Sequence, residues 1–468
     1  MPSSTADLHV VIGLGRSGIG AAGLLHAQGH EVLVLDENHS VAHQRRAELL
    51  QKQGIAVQLG CRLEPGLPLL QTRRPAAVVV SPGLRWDHPL LLWLRSEGIA
   101  VHGELVPAWR ASGGVPWIGI TGTNGKTTVT HLVSHLLNQS GRDAPMGGNV
   151  GRSAADLVLQ RCLHSGNRPD WLVMELSSYQ IESAPEISPR IGIWTTLTPD
   201  HLERHGTLEA YRQLKRSLLE RSMLRILNGD DPDLRSHQGR WNDAFWVTAG
   251  DGQGLPAGIQ ASLWIESGRL HQRLSSGEAI DLMAADCLAM PGVHNRQNML
   301  MAVAAGLGAG LSGAEMERAL ASFPGVPHRL ERLRQLRGVT YFNDSKATNY
   351  AAAEVALEAL EGPLVVLAGG EAKQGDGSAW AMALGRQARA VVLYGAAREL
   401  FATLLRQAGF GGVVTLAEGL DAAVPVAAEL AERLNCPVVL LSPACASFDQ
   451  YSDFEARGDH FRALVTAL

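Results

Sequence analysis

Three times along this chain a short aliphatic run leads into a glycine-rich turn and then a helix-like stretch. His9 to Ile12 runs into Gly13-Leu-Gly-Arg-Ser-Gly18, Trp117 to Ile120 into Thr121-Gly-Thr-Asn-Gly-Lys-Thr127, and Leu364 to Leu367 into Ala368-Gly-Gly370. Apolar runs of strand length, closed by glycine and followed by helical periodicity, mark parallel strands with crossover helices. The chain is therefore expected to be α/β. Small-residue stretches separate the three starts: Ala111-Ser-Gly-Gly-Val-Pro116, and Phe323-Pro-Gly-Val-Pro327 after the helical run Gln297 to Leu320. They suggest three domains, 1–108, 109–325 and 326–468. Residues 225–290, with turns at 250–258 and 275–277, read as part of the middle domain, and their strand order is not legible.

A length of 468 residues fits this division at about 150 residues per domain. With 46% hydrophobic and 19% charged residues, several cores can be buried. The formal net charge is −5 and no basic domain stands out, which argues against a general nucleic-acid binder but not against a local phosphate site. The five cysteines (Cys61, Cys162, Cys287, Cys436 and Cys445) are scattered and form no Cys-x-x-Cys pair. They read as reduced thiols, not as a disulfide or zinc framework. The first residues carry no basic region ahead of an apolar run, and apolar stretches such as 76–80 and 438–441 fall far short of the ~20 residues of a membrane span. The expectation is a soluble, cytoplasmic protein without a membrane span.

The second turn carries the strongest signal, Ile118-Gly-Ile-Thr-Gly-Thr-Asn-Gly-Lys-Thr-Thr128. Gly122 and Gly125 let the backbone bring amide groups close to phosphate oxygens, and a helix starting near Lys126 adds its positive end. Lys126 can reach the β- and γ-phosphates of a nucleotide, and the Thr127 hydroxyl can ligate Mg²⁺. The general phosphate loop (P-loop) has glycine where this chain has Ile120, so the loop here is the compact Gly122-Thr123-Asn124-Gly125-Lys126-Thr127 form, followed by Thr128. A plain strand-to-helix turn would have little use for Lys-Thr at the start of a helix periodic in Val129, Leu132, Val133 and Leu136. By itself the loop does not choose between motor, kinase, switch and ligase.

Mg²⁺ wants further oxygen ligands. Glu175 ends the apolar run 172–174 and precedes the polar cluster Ser177, Ser178, Tyr179 and Gln180, which favours a metal-facing carboxylate over a solvated one. His201 and His205 are spaced i,i+4. Leu202 follows the first, so the His-Glu-x-x-His zinc pattern is missing and zinc is not expected. His201 reads as a polar site residue and His205 as helix surface. Lys215 lies in the helical stretch 208–222, whose apolar face reads as Leu214, Leu218 and Leu219; on its chemistry alone it is a surface lysine.

The N-terminal Gly13-Leu-Gly-Arg-Ser-Gly18, with Asp36 closing the next strand (31–35), matches a dinucleotide fingerprint. The fingerprint certifies a pyrophosphate-binding helix start, which suits NAD and a nucleoside diphosphate alike. An NAD-dependent oxidoreductase thus stands as a rival, although it leaves Lys126, Thr127 and Glu175 unexplained. A non-enzymatic P-loop switch is a second rival.

Taken together, Gly122 to Thr127, Glu175, His294-Asn295 to Asn298 and His328-Arg329 resemble the Mur ligase family over nearly the whole chain. Asn343-Asp-Ser-Lys-Ala-Thr-Asn349 and Leu441-Ser-Pro-Ala-Cys-Ala-Ser-Phe-Asp-Gln-Tyr451 resemble its D-glutamate-adding branch. The resemblance implies Rossmann-like first and third domains around a central P-loop ATPase-type domain with a parallel or mixed sheet. It implies ATP and Mg²⁺ as cofactors, and UDP-N-acetylmuramoyl-L-alanine and D-glutamate as substrates joined through an acyl phosphate in peptidoglycan precursor synthesis. The assembly is expected to be a monomer. Lys126 and Thr127 would hold ATP phosphates and Mg²⁺ with Glu175 on the metal, while His201 and a carbamylated Lys215 would serve a second Mg²⁺. Asn295, Arg329 and Asp344 would contact the adenine, phosphate and ribose. Gly15, Arg16, Ser17, Asp36, Ser81 and Gly83 would hold the UDP end, although 81–83 also reads as a simple turn. Asn149 would contact the muramoyl-alanine part, and Lys346, Thr348, Lys373, Ser447 and Phe448 would hold D-glutamate. Phe448 stands where the family often has leucine, and its implied contact is through backbone N–H. Sister ligases with another amino acid are the nearest alternative.

Overall fold

Each of the three glycine turns follows a buried strand, and each strand is central to a separate sheet. The computed structural model describes residues 7–241, 243–252, 262–290, 292–372 and 375–468. It divides into two compact units, 1–323 and 324–468.

The first unit begins with five parallel strands: β1 (Leu8–Ile12), β2 (Glu31–Asp36), β3 (Ala56–Leu59), β4 (Ala77–Val80) and β5 (Ala100–Gly103), in the order β3-β2-β1-β4-β5. The order reverses between β1 and β4, so the turns leaving those two strands face one crevice, where open α/β sheets take their ligands. The Arg16–Ala27 helix follows β1. Gly18 in its first turn is a requirement of packing, because a Cβ there would lie 1.8 Å from the Gly13 carbonyl oxygen.

The second sheet of this unit has nine strands: β6 (Trp117–Thr121), β7 (Met146–Gly148), β8 (Leu172–Glu175), β9 (Ile191–Trp194), β10 (Leu224–Asn228), β11 (Phe245–Thr248), β12 (Leu263–Glu266), β13 (Arg269–Arg273) and β14 (Ala279–Ala284). Their order is β14-β13-β12-β11-β10-β9-β6-β8-β7, parallel from β7 through β12 and antiparallel across β12, β13 and β14. All five residues of β6 are buried, the pattern of a strand covered on both faces. The stretch 225–290, whose strand order was not legible in the sequence, supplies strands β10 to β14. The helical run after 297 is two helices, Val293–Gly308 and Gly313–Ala321, because Gly310 turns the chain with φ +84° and Ser312 caps the second helix by accepting from Glu315 N. One buried apolar cluster joins the two sheets, running from Val11 and Leu24 through Ala154 and Leu157 to Trp117 and Leu172.

The second unit holds β15 (Glu331–Leu336), β16 (Val339–Asn343), β17 (Leu364–Gly369), β18 (Ala388–Tyr394), β19 (Val413–Ala417) and β20 (Val438–Leu441), ordered β15-β16-β20-β17-β18-β19. Only the β15–β16 pair is antiparallel. All six residues of β17 are buried, and helices such as Ser378–Gln387 and Leu420–Arg433 pack with the strands in its two core clusters.

Replacing Gly18 by Ala forces helix and strand apart and is expected to cost about 1–3 kcal/mol. Gly15→Ala, with nothing within 4 Å of the added carbon, should cost less than half as much. Chemical denaturation of the two variants side by side decides it; equal losses would mean that the close approach at Gly18 is unimportant.

Candidate active site

The carboxyl ends of β6, β8 and β9 lie side by side in the second sheet and bring three loops together. The β6 loop takes its shape from Gly122 (φ +148°) and Gly125 (φ +82°). It lies on the end of β9: Thr123 N donates to Thr196 O at 2.9 Å and Asn124 N to Thr196 Oγ1 at 2.9 Å. The Lys126 ammonium curls over the loop and donates to Gly122 O at 3.0 Å and Thr123 O at 2.9 Å. Thr127 and Thr128 are buried in the first turn of the Lys126–Gln139 helix. Asn298 packs against the same loop, since a Cβ on Gly125 would meet its Oδ1 at 2.7 Å, and it donates to Asn295 Oδ1 at 3.5 Å.

Glu175 ends β8 and is 2% exposed. One carboxylate oxygen accepts from Asn149 Nδ2 at 2.9 Å; the other, Oε2, is buried and has no hydrogen-bond partner among the described residues. His201 stands at the head of a short helix with φ +55°, its Nδ1 at 3.1 Å from the Tyr179 hydroxyl and its Nε2 at 3.5 Å from Asp200. His205 corrects the reading of it as helix surface. It is half-buried, bonded to Ser178 Oγ at 2.9 Å and stacked on Tyr211, and burial lowers its pKa.

Lys215 is the larger correction. Its side chain is buried, not at the surface. The inward stripe of the Leu208–Glu220 helix is Tyr211, Lys215, Leu218 and Leu219, so the lysine occupies a core position at i+4 from the tyrosine. Its Nζ donates to Gly122 O at 2.9 Å and Thr121 Oγ1 at 3.4 Å, and lies 4.3 Å from the Tyr211 ring centroid. Burial, reinforced by the charge of Lys126, pushes its pKa well below the usual lysine range. A neutral buried amine is a nucleophile, and carbamylation would turn it into an anion.

At the switch point of the first sheet a cavity of about 470 Å³ is lined by Gly15, Arg16, Ser17, Asp36, Ser81 and Gly83, with Asn149 and Gln180 on its far side. Asp36 organises its floor by accepting from Leu14 N at 2.6 Å and Asn38 N at 2.7 Å. Ser81 Oγ donates to Gly13 O at 3.3 Å, so residues 81–84 form both a turn and one wall of the cavity.

In the second unit the loops after β16, β17 and β20 meet at one end of the third sheet. Asp344, 5% exposed, accepts from Leu330 N at 3.2 Å and from Ser442 Oγ at 3.1 Å, and burial pushes its carboxyl up to about 7. Lys346 N donates to His328 O, beside Arg329, and Thr348 N donates to Lys346 O. The Lys346 ammonium lies 5.6 Å from the Phe454 ring centroid. Ser447 is buried and Phe448 is 69% exposed. Lys373 lies outside the described residues.

Known proteins now bear on this geometry. Residues 7–103 match the model of the Mur ligase MurD-like N-terminal domain, 120–306 the Mur ligase middle domain, and 328–445 the Mur ligase glutamate ligase domain. The chain is 53% identical over 461 residues to a UDP-N-acetylmuramoylalanine–D-glutamate ligase of Synechococcus sp. (strain CC9605), covering 98% of each. It is 54% identical over 460 residues to the protein of the same name from Prochlorococcus marinus (strain MIT 9313), again covering 98% of each. The chain belongs to the Mur ligase family. Among solved structures, the UDP-N-acetylmuramate-alanine ligase of Thermotoga maritima shares the fold, with a TM-score of 0.56, 20% identity, and coverage of 98% of this chain and 99% of that one. Mur ligases are ATP-dependent ligases.

Two residues of this Mur ligase escaped the reading of its sequence. Arg457 is fully buried and makes no ion pair among the described residues. It donates from Nε to Ser345 Oγ at 2.9 Å, from Nη2 to Ser345 O at 2.8 Å, and to Cys445 O and Ala446 O. It therefore ties the Lys346 loop to the Ser447 loop. Tyr211 links the Gly122–Thr127 loop to Lys215, its hydroxyl 3.4 Å from Thr123 Oγ1. Neither residue sits in a motif; the only sequence sign of either was its place on a helix face.

The orphaned Glu175 oxygen fits a hard cation. Among the described residues no group of three or more His, Cys, Asp and Glu is placed to hold a metal, so such an ion would draw ligands from phosphate oxygens as well.

An Asp344→Asn variant tests the buried carboxyl. Its native pKa lies above the unfolded value, so the folded wild type holds a proton that the unfolded chain releases, and its stability falls as pH rises from about 4 to about 7. The substitution removes that fall, a difference of up to about 4 kcal/mol. Thermal unfolding should show the variant gaining on wild type between pH 5 and pH 8; an unchanged gap would show that Asp344 is not protonated when buried.

Proposed function

We propose that the chain adds D-glutamate to UDP-N-acetylmuramoyl-L-alanine, consuming ATP and forming ADP and phosphate in peptidoglycan precursor synthesis. The observation that carries this reading is the Gly122–Thr127 loop, its amides and the Lys126 ammonium gathered over the end of β9 with Glu175 at the end of the neighbouring β8. The relatives of the same name, above 50% identity over almost the full length, support the choice of substrates. The dinucleotide reading of Gly13 to Gly18 loses its ground, because a MurD-like N-terminal domain accounts for that turn.

In this reading the loop amides and Lys126 hold the β- and γ-phosphates. Lys126 neutralises charge on the oxygens as the phosphoryl group passes to the substrate carboxylate. Glu175 and Thr127 would hold one Mg²⁺, and His201 with a carbamylated Lys215 would serve a second; Mg²⁺ held there would supply positive charge for the transferring oxygens. Gly15, Arg16, Ser17, Asp36, Ser81 and Gly83 take the UDP end, and Asn149 the muramoyl-alanine end. Asn295, Arg329 and Asp344 take the nucleoside and phosphates of ATP. Lys346, Thr348, Lys373, Ser447 and the Phe448 backbone hold D-glutamate, whose amine attacks the acyl carbon, releases phosphate and loses a proton. The three functional segments are 1–108 for UDP, 109–325 for ATP and 326–468 for the amino acid. We assign the protein to the cytoplasm, where both substrates are soluble, as a monomer; no helix among the described residues is long and apolar enough to cross a membrane.

Phosphate release from ATP with UDP-N-acetylmuramoyl-L-alanine and each candidate amino acid in turn tests this. D-Glutamate should support turnover and L-alanine, diaminopimelate and lysine should not. Lys126→Ala should lower kcat by about 10²–10³-fold or more, the usual size of losing one charge-stabilising donor. Turnover by that variant near the wild-type rate, or a preference for another amino acid, would end the assignment.

A further inference from the structure

Glu104 follows β5 directly and precedes the Leu105–Ala111 helix. Its side chain is 1% exposed, yet it makes no ion pair among the described residues. Oε2 accepts from Ala155 N at 3.4 Å, at the start of the Ala154–Val158 helix, while Oε1 is buried without a hydrogen-bond partner among the described residues. The side chains of Ser17 and Gln180 bear on the same carboxyl. Ser17, Ser153 and Gln180 line the first-sheet cavity, and Glu104 stands behind them, outside the lining.

The neighbouring backbone is closely packed. A Cβ on Gly103 would meet Ser183 Oγ at 2.1 Å, and one on Gly20 would meet Ser153 Oγ at 2.2 Å. Gln180 is equally committed: its Oε1 accepts from Ser177 N and Ser177 Oγ, each at 3.0 Å, so only its amide N–H groups remain to offer. The charged groups on the packed elements have other partners. Arg16 donates to Gly151 O, Asp156 pairs with Arg152, Glu182 with Arg204, and Arg110 and His102 both face Glu186. Tyr179 bonds His201, His26 lies in the last turn of its helix, and the cavity carboxylates Asp36 and Glu37 accept backbone amides.

We infer that Glu104 is a positioning residue for the UDP substrate, its carboxyl deciding whether Ser17 and Gln180 turn their donors inward or toward the anionic ligand. An ionised carboxylate only accepts, so it competes with the ligand for the Ser17 O–H and the Gln180 N–H groups. A protonated carboxyl donates to Ser17 Oγ and frees the Ser17 proton for a phosphate oxygen, while removing a negative charge from behind the site. Burial pushes this carboxyl up to about 7, so both forms are within reach near neutral pH. Anionic ligand therefore binds with uptake of a proton, and affinity falls as pH rises through that range. The inference rests on the cavity holding the UDP end of the substrate.

The test compares wild type, Glu104→Gln and Glu104→Ala by steady-state kinetics from pH 6 to 8.5 and by calorimetric titration with UDP in buffers of different ionisation enthalpy. Wild type should show KM for the UDP substrate rising about ten-fold across the range, with proton uptake on binding UDP. The Gln variant, a permanent neutral donor, should keep the low KM at every pH and take up no proton. The Ala variant should show KM raised about ten-fold at every pH with kcat within about two-fold. A Gln variant that follows the wild-type pH profile and proton uptake overturns the inference, even if the Ala variant fails to fold. Wild type that binds no UDP at any pH overturns the assignment of the cavity itself, a different result.

Discussion

A side chain at position 122 would place its Cβ 1.9 Å from Thr195 Oγ1, so the loop after β6 can lie on the end of β9 only as glycine. That close approach governs the centre of the first unit. It lets Thr123 and Asn124 bond Thr196, it exposes the Gly122 carbonyl to both Lys126 and Lys215, and it brings the Tyr211 hydroxyl to Thr123. Two lysines converge on one carbonyl oxygen. Lys126 is half-buried and Lys215 almost wholly so, and desolvation together with the charge of Lys126 lowers the Lys215 pKa well below the usual lysine range.

The same logic recurs in each sheet. Parallel strands covered on both faces have no polar surface except at their ends, so chemistry collects on the loops leaving their carboxyl termini. The first-sheet crevice lies between β1 and β4, the Gly122–Thr127 loop follows β6 with Glu175 at the end of β8, and Asp344 and Ser442 follow β16 and β20. What differs is how each end is stiffened. Asp36 bonds backbone amides, Gly122 packs on a threonine, and Arg457 grips the carbonyls of two loops at once. An arginine buried with no ion pair among the described residues is costly unless its donors are satisfied, and here the Ser345 hydroxyl and the loop carbonyls accept from it. Its removal would free both loops together.

Much of this was legible in the linear chain. The strand–glycine–helix rhythm led to the three sheets, because continuous apolar runs and glycine turns report strand burial and tight connection locally. Gly122 to Thr127, Glu175 and the Asn343 and Leu441 motifs were legible for the same reason: each packs its information into a few adjacent residues. The antiparallel β12 to β14 extension was not, since its half-exposed strands carry no continuous apolar signal. The break at Gly310 was missed because the apolar period continues across it.

Residues whose work depends on neighbours far along the chain stayed hidden. Lys215 read as a surface lysine, yet it is 94 residues from its partner Thr121 and fills an apolar position on its helix. His205 became half-buried only where Ser178 and Tyr211 folded against it. Arg457 and Glu104 belong to no motif, and their meaning lies in being enclosed. Local residue order thus disclosed the fold class, the Gly122–Thr127 turn and the family resemblance, because backbone propensity and glycine geometry act over a few residues. Burial was decided by the packed structure alone, and burial lowers the pKa of Lys215 and raises those of Asp344 and Glu104, since desolvation depends on every atom that surrounds a charge.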